Sequence, residues 1–190
     1  MPSPSRFAHA VLKTYDVRKM RDWYLAALDA RVVHENLPRV CFLTYDDEHH
    51  RLAFALQEGA PVKPNPRAPG LLHLAFGYPT ARDLLVQYER MKGLGHKPVF
   101  PVNHGPCLSI YYADPDGNGV EFLVDRFATL AETQHFIDTH FDRNPVGVSV
   151  DPEELLAKMH KGASEKELLY FDEGAPMAEL PYEELKAPVE

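Results

Sequence analysis

Residues 6–125 of this chain read as two similar units, and that duplication limits its fold more than any other feature. The first copy opens on Phe7-Ala8-His9-Ala10-Val11-Leu12, a short apolar run that predicts a strand. Residues 14–27 follow with Val17, Met20, Trp23, Tyr24 and Ala27 at helical spacing, and Asp16 stands where a cap would sit. Residues 31–33, 39–45 and 51–56 then predict three more strands divided by polar turns. A stretch holding Pro61, Pro64, Pro66 and Pro69 breaks the pattern and predicts a linker. The order then starts again. Residues 71–76 form a strand around His73, residues 80–94 a helix ended by Gly93 and Gly95, and residues 97–101, 108–112 and 120–124 three strands. Asp114-Pro115-Asp116-Gly117-Asn118-Gly119 is a turn between the last two. His9 and His73 fall at matching places, 64 residues apart. Each copy alone is too small to bury a sheet face, so the two are expected to combine around a shared site. The expected class is α+β, with two tandem βαβββ modules at 6–57 and 70–125, a linker at 58–69, and one domain spanning 1–126.

Residues 127–190 differ in kind. Phe127, Leu130, Phe136, Ile137 and Phe141 predict a helix with one buried face over 127–141. Asp151-Pro152-Glu153-Glu154 predicts the start of a second, with an aspartate cap, proline in the first turn and acidic residues at the positive end of the dipole; it should run to His160. From Gly162 the chain is acidic and dotted with proline, with apolar beads at Leu168, Leu169, Tyr170 and Phe171. These predict an extended arm lying on the domain or on a partner subunit, or a disordered tail. A helical C-terminal extension is therefore expected behind the duplicated part.

Composition narrows the function classes. The chain has 190 residues with a net charge of -8, which speaks against a nucleic-acid surface. No apolar run reaches the roughly 18 residues of a membrane span, and no apolar segment follows the opening Met-Pro-Ser-Pro-Ser-Arg as a secretory leader would need. Two cysteines, Cys41 and Cys107, make neither a disulfide framework nor a zinc site, so a cytoplasmic setting is expected.

Three side chains carry the chemical argument. His9, His73 and Glu121 each interrupt an apolar run predicted as strand. A single strand histidine is more often a hydrogen-bonded core or rim residue, and a single glutamate an edge residue or an arginine partner. Here two histidines recur at one place in both copies, and the carboxylate in Val120-Glu121-Phe122-Leu123-Val124 is costly to bury without compensation. A divalent ion would supply it. Two imidazoles and one carboxylate on one side of an ion are the facial triad of non-haem Fe(II) oxygenases, which leaves the remaining positions open.

These residues resemble those of the vicinal oxygen chelate superfamily, whose members share the glyoxalase/bleomycin-resistance/dioxygenase fold. Within it the chain is most similar to one-domain type I extradiol ring-cleaving dioxygenases. Phe7-Ala8-His9 and Leu72-His73-Leu74 resemble the two ligand strands. His49-His50-Arg51-Leu52-Ala53-Phe54 resembles the segment whose second histidine is the catalytic acid and base, and Tyr111 through Glu121 resembles the closing motif, with a tyrosine ten residues before the ligand glutamate. The resemblance implies that the modules form one mixed-sheet half-barrel around a metal site. It implies His9, His73 and Glu121 as ligands of Fe(II), with Mn(II) as the replacement, and His50 as the group that moves protons. It implies Tyr111 and His104 as groups that orient the substrate, although His104 lies seven residues before Tyr111 where the family has about nine. The implied reaction inserts O₂ into a catechol-type ring beside the two hydroxyls and gives a ring-opened semialdehyde.

Two rivals share the fold. One is another metalloenzyme of the superfamily: a glyoxalase-like lyase, an epimerase or a thiol transferase. Some of these take a fourth ligand from the end of the first copy, where counting by the repeat places Gln57 or its neighbours, so a four-ligand site stays open. The other is a non-catalytic small-molecule-binding relative. Cys107 reads as a small packed side chain rather than a nucleophile, and no dinucleotide, P-loop or Gly-x-Ser-x-Gly pattern is present. The expected partners are a small aromatic diol and O₂, with no nucleic acid and no membrane, and an exposed sheet edge with a long arm suggests a homo-oligomer.

Overall fold

The computed structural model describes residues 1–62 and 69–181. Residues 63–68 of the linker and 182–190 of the arm lie outside the described residues. The chain divides into two compact units, one of residues 1–65 with 114–117, the other of residues 66–113 with 118–190.

The first unit contains β1 (Ala10–Thr14), α1 (Val17–Leu28), β2 (Arg31–Asn36), β3 (Val40–Thr44) and β4 (Leu52–Leu56). Its sheet has the order β1-β4-β3-β2, with β1 parallel to β4 and the other pairs antiparallel. Helix α1 starts where Asp16 accepts from the Lys19 amide at 3.0 Å. Its apolar stripe of Val17, Met20, Trp23, Tyr24 and Ala27 is buried against β3 and β4. The Tyr24 hydroxyl donates to Asp114 at 3.1 Å, which ties the 114–117 turn into this unit. The expected first strand, 7–12, is displaced: the ladder begins at Ala10, opposite Leu52. Phe7 and Ala8 are held differently, their carbonyls accepting from the Arg51 guanidinium at 2.8 and 3.1 Å. His9 therefore stands just ahead of the strand. The expected strand 31–33 runs on to Asn36, exposed throughout because β2 is the sheet edge.

The second unit repeats the plan with β5 (His73–Gly77), α2 (Ala81–Gly93), β6 (Phe100–Asn103), β7 (Cys107–Ala113) and β8 (Gly119–Asp125). Its order, β5-β8-β7-β6, matches the first sheet, and a further strand, β9 (Val148–Ser149), pairs with β6. No residue pattern announces β9, since two residues carry no periodicity. Helix α2 is capped by Thr80 and buries Ala81, Leu84, Leu85, Tyr88 and Met91 against the sheet. On β8, Val120, Phe122 and Val124 point to that layer, so Glu121 between them points to the opposite face.

The extension folds back on this unit. Helix α3 (Leu130–His140) carries a capping box of Thr129 and Glu132 but buries only Phe136, so the expected apolar face narrows to one anchor. Helix α4 (Pro152–His160) has the expected Asp151 cap and packs on α2, where Glu153 meets the Tyr88 hydroxyl at 2.5 Å and Lys92 at 2.6 Å. From Gly162 the chain forms a short helix, α5 (Glu165–Leu168), capped by Ser164, and then irregular structure to residue 181. Leu168, Leu169 and Phe171 are buried within the chain, because these beads find apolar surface on their own unit. No helix among the described residues is long and apolar enough to cross a membrane.

This packing predicts a contrast. Leu85→Ala empties a fully buried site and should cost about 3 kcal/mol. Leu130→Ala, on the exposed face of α3, should stay within about 0.5 kcal/mol of the parent. Urea unfolding midpoints at constant m-value measure both.

Candidate metal and catalytic centre

In the second unit the parallel pair β5 and β8 sets His73 opposite Gly119 and Ala75 opposite Glu121, so His73 and Glu121 share a face. The His73 Nε2 and Glu121 Oε2 atoms are 3.1 Å apart. Glu121 is 5 % exposed, and no lysine or arginine forms an ion pair with it among the described residues. A carboxylate so placed needs a positive partner, and a divalent ion held jointly with imidazole suits that donor set. The close approach of β5 depends on Gly119. A Cβ there would stand 2.5 Å from the Leu72 carbonyl oxygen and 3.0 Å from the His73 Cβ.

Tyr111 on β7 lies directly across from Glu121 and is hydrogen-bonded to it. Burial, reinforced by that carboxylate, pushes the phenol well above its ordinary range, so it keeps its proton. The Tyr111 hydroxyl is also 3.0 Å from His104 Nε2. The spacing of seven residues is bridged by a tight turn in which the His104 amide donates to the Cys107 carbonyl at 2.9 Å. Burial lowers the His104 pKa below the usual imidazole value, which keeps the ring neutral. Cys107 is free, and burial raises its thiol to about 11, so the thiolate needed for nucleophilic attack is not formed near neutrality.

In the first unit His9 precedes β1 and His50 stands two residues before β4, at the same end of two adjacent parallel strands. Their ring centroids are 4.2 Å apart, and His50 stacks on Phe42 at 4.9 Å. Burial, then the neighbouring His9 and His49, lowers the His50 pKa and leaves it neutral. His49, which the sequence showed only as a neighbour, has its Nδ1 atom 2.6 Å from Nδ1 of His50. Its Nε2 faces Glu48 at 3.5 Å, and Glu48 is held by Arg6 at 2.5 Å. With the His49 proton toward Glu48, His49 Nδ1 accepts, His50 Nδ1 donates, and His50 Nε2 carries a free lone pair. Nitrogen atoms of His9, His49 and His50 lie within 4.8 Å of one another, a spacing that could also hold an ion.

Register places Ala53, not Gln57, at the first-unit position that matches Glu121. The Ala10 amide donates to the Arg51 carbonyl, so His9 sits beside Arg51 as His73 sits beside Gly119. Two residues further along, where the second unit has Glu121, the first has buried Ala53. Opposite it stands Phe42, as Tyr111 stands opposite Glu121. Gln57, reached by counting a constant repeat, lies beyond β4, with its backbone amide on the Thr14 carbonyl and its side chain on the Glu58 carbonyl. Constant counting fails because the last three strands of the second copy stand further from their counterparts along the chain than its first strand does.

The fold and this pattern of donors define the class: the chain belongs to the Glyoxalase/Bleomycin resistance protein/Dioxygenase superfamily, whose family model matches residues 6–122. Among particular proteins, it is 45% identical over 156 residues to biphenyl-2,3-diol 1,2-dioxygenase 2 of Rhodococcus globerulus, covering 80% of each chain. It is 42% identical over 165 residues to biphenyl-2,3-diol 1,2-dioxygenase 3 of the same organism, covering 86% of each. A glyoxylase/bleomycin resistance protein/dioxygenase domain from Frankia sp. EAN1pec shares the fold at a TM-score of 0.55 and 21% identity, covering 65% of this chain and 100% of that one.

Gly119→Ala is expected to push the Leu72–His73 backbone off β8. Metal affinity should fall roughly 10- to 100-fold, by isothermal titration, while the far-ultraviolet circular dichroism stays unchanged.

Proposed function

We propose that this chain is an extradiol dioxygenase that opens an aromatic ring beside two vicinal hydroxyls, with a biphenyl-2,3-diol as the substrate class suggested by its relatives. The observation that carries the reading is the asymmetry between the two copies. The second supplies His73 and Glu121, while Ala53 leaves the first with His9 alone at the matching place. Three protein donors leave an ion with several open positions, as a reaction joining a two-oxygen substrate and O₂ requires; a four-ligand lyase centre would leave fewer. The metal we assign to His9, His73 and Glu121 is Fe(II), with Mn(II) as its replacement. When bound, the ion supplies a place where the diol and O₂ meet and electrons pass between them.

The protein's own groups do the rest. His50, neutral and with its Nε2 lone pair free, takes the proton that a diol hydroxyl gives up and later returns it to an oxygen of the opening ring. Tyr111 and His104 hold the diol oxygens in one orientation. One ring carbon–carbon bond breaks, both atoms of O₂ enter the semialdehyde product, and no external reductant is consumed. The site sits in a soluble chain that we place in the cytoplasm, in keeping with two unpaired cysteines. The exposed edge strand β2 is the surface we assign to contact between copies in a homo-oligomer.

The test is anaerobic loading with Fe(II), then 2,3-dihydroxybiphenyl under air. The expected result is one O₂ consumed per yellow ring-opened product. His9→Ala should lose both metal and activity. His50→Ala should keep the metal and lose roughly 10²- to 10⁴-fold in kcat. His49→Ala should keep the metal, which a three-histidine ion site in the first unit could not do. Metal binding without O₂ uptake on any diol would move the assignment to a lyase, epimerase or transferase.

A further inference from the structure

The C-terminal extension closes on one short piece of the second sheet, Asn103-His104-Gly105, from three directions. From α3, the Phe136 ring sits against Gly105, filling the space where a side chain would be. From the α5 region, the Tyr170 carbonyl accepts from the Asn103 side chain at 3.2 Å, and the same amide holds the Gly105 N–H at 2.9 Å. Between them the 144–148 turn lies on His104 itself. Gly147 there has φ +103°, and a Cβ on it would run into the Asn103 carbonyl oxygen and stand 2.7 Å from the His104 Cα. The turn is closed by Asn144, whose Oδ1 accepts from the Gly147 amide at 2.7 Å and whose Nδ2 donates to the Gly147 carbonyl at 3.0 Å. The Ala178 amide adds a bond to the same carbonyl at 2.8 Å. The result is that the Val146 carbonyl oxygen rests 2.6 Å from His104 Nδ1.

A carbonyl oxygen can only accept. We infer that the 144–148 turn is a positioning element of the active site, in which the Val146 carbonyl fixes His104 as its Nδ1–H tautomer. The Nε2 atom then carries the lone pair and can only accept from the Tyr111 hydroxyl 3.0 Å away. Tyr111 has one proton; with His104 Nε2 and the Glu121 carboxylate both acceptors, that proton is held on the protein side and the phenol oxygen meets the substrate as an acceptor. In the other tautomer His104 Nε2 would donate to the phenol oxygen, and Glu121 alone would take the Tyr111 proton. Residues far beyond the duplicated modules thus decide the polarity of a substrate-facing pair. The inference rests on the proposed ring-cleavage reading only for the role of that pair; the tautomer itself does not depend on it.

The test is a long-range ¹H–¹⁵N spectrum of the full chain labelled in histidine, before any metal is added, which reports which ring nitrogen carries the proton. Wild type should show His104 protonated at Nδ1. Asn144→Ala, which removes both side-chain clasps of the turn, and Gly147→Ala, which drives it off Asn103 and His104, should give a mixture of tautomers. Each should raise KM for the diol and lower kcat/KM roughly tenfold. Asn144→Asp, which keeps the acceptor for the Gly147 amide, should restore most of the wild-type tautomer. Leu168→Ala, buried elsewhere in the extension, should lower the melting temperature and leave tautomer and KM unchanged. A wild-type His104 protonated at Nε2, or one unmoved in Asn144→Ala, would overturn the inference. The expected tautomers without O₂ uptake on any diol would sustain it and remove the ring-cleavage reading instead.

Discussion

Glu121 puts a carboxylate in the middle of a strand whose neighbours, Val120 and Phe122, are fully buried. Water cannot compensate it there, and its neighbours in the second unit are an imidazole and a phenol. The arrangement around it follows from that cost. Gly119 lets β5 come close enough for His73 to reach the carboxylate, and strand register sets Tyr111 directly across. Paired chemistry on one sheet face is then achieved with no loop in the contact. That suits a centre whose donors must be held before an ion arrives.

The two copies have diverged on that same face. Their sheets have the same order over four strands and the same parallel pair, so the backbone is equivalent. At the register position of Glu121 and Tyr111, however, the first unit carries Ala53 and Phe42. One copy thus keeps an apolar pair that costs nothing to bury, and Phe42 offers a flat surface on which His50 stacks. The other bears the buried charge.

The duplication, the helices of both modules, the cap of α4 and the candidate residues His9, His73, Glu121, His50, His104 and Tyr111 were legible because each is written in side-chain type or period. The remainder was not, for physical reasons. The Ala53 position follows from strand register, which a constant repeat of 64 residues misplaces onto Gln57. The Arg51 clamp on Phe7 and Ala8 and the Val146 carbonyl on His104 involve backbone oxygens, which every residue possesses and no sequence pattern marks. The beads at Leu168, Leu169 and Phe171 announced burial without saying where, and they are buried on their own unit. No spacing marks His49, whose contact with His50 is a distance of 2.6 Å.

His50 and His104 are held by opposite means, and the difference matches the roles proposed for them. His50 is oriented by a chain of side chains, His49, Glu48 and Arg6, that ends in solvent, with Arg6 59% exposed. Exposed ion pairs of this sort contribute little rigidity, and their members rearrange readily. A group that must take a proton and give it back gains from that freedom, since both ring nitrogens must be able to adjust. His104 is oriented by a backbone carbonyl inside a buried corner, fixed by two glycines that admit no side chain and by an asparagine that is itself buried. Moving it would require moving β6, β9 and the turn together. A group that only sets direction gains from such rigidity, because each degree of freedom left to it would have to be lost again whenever substrate binds.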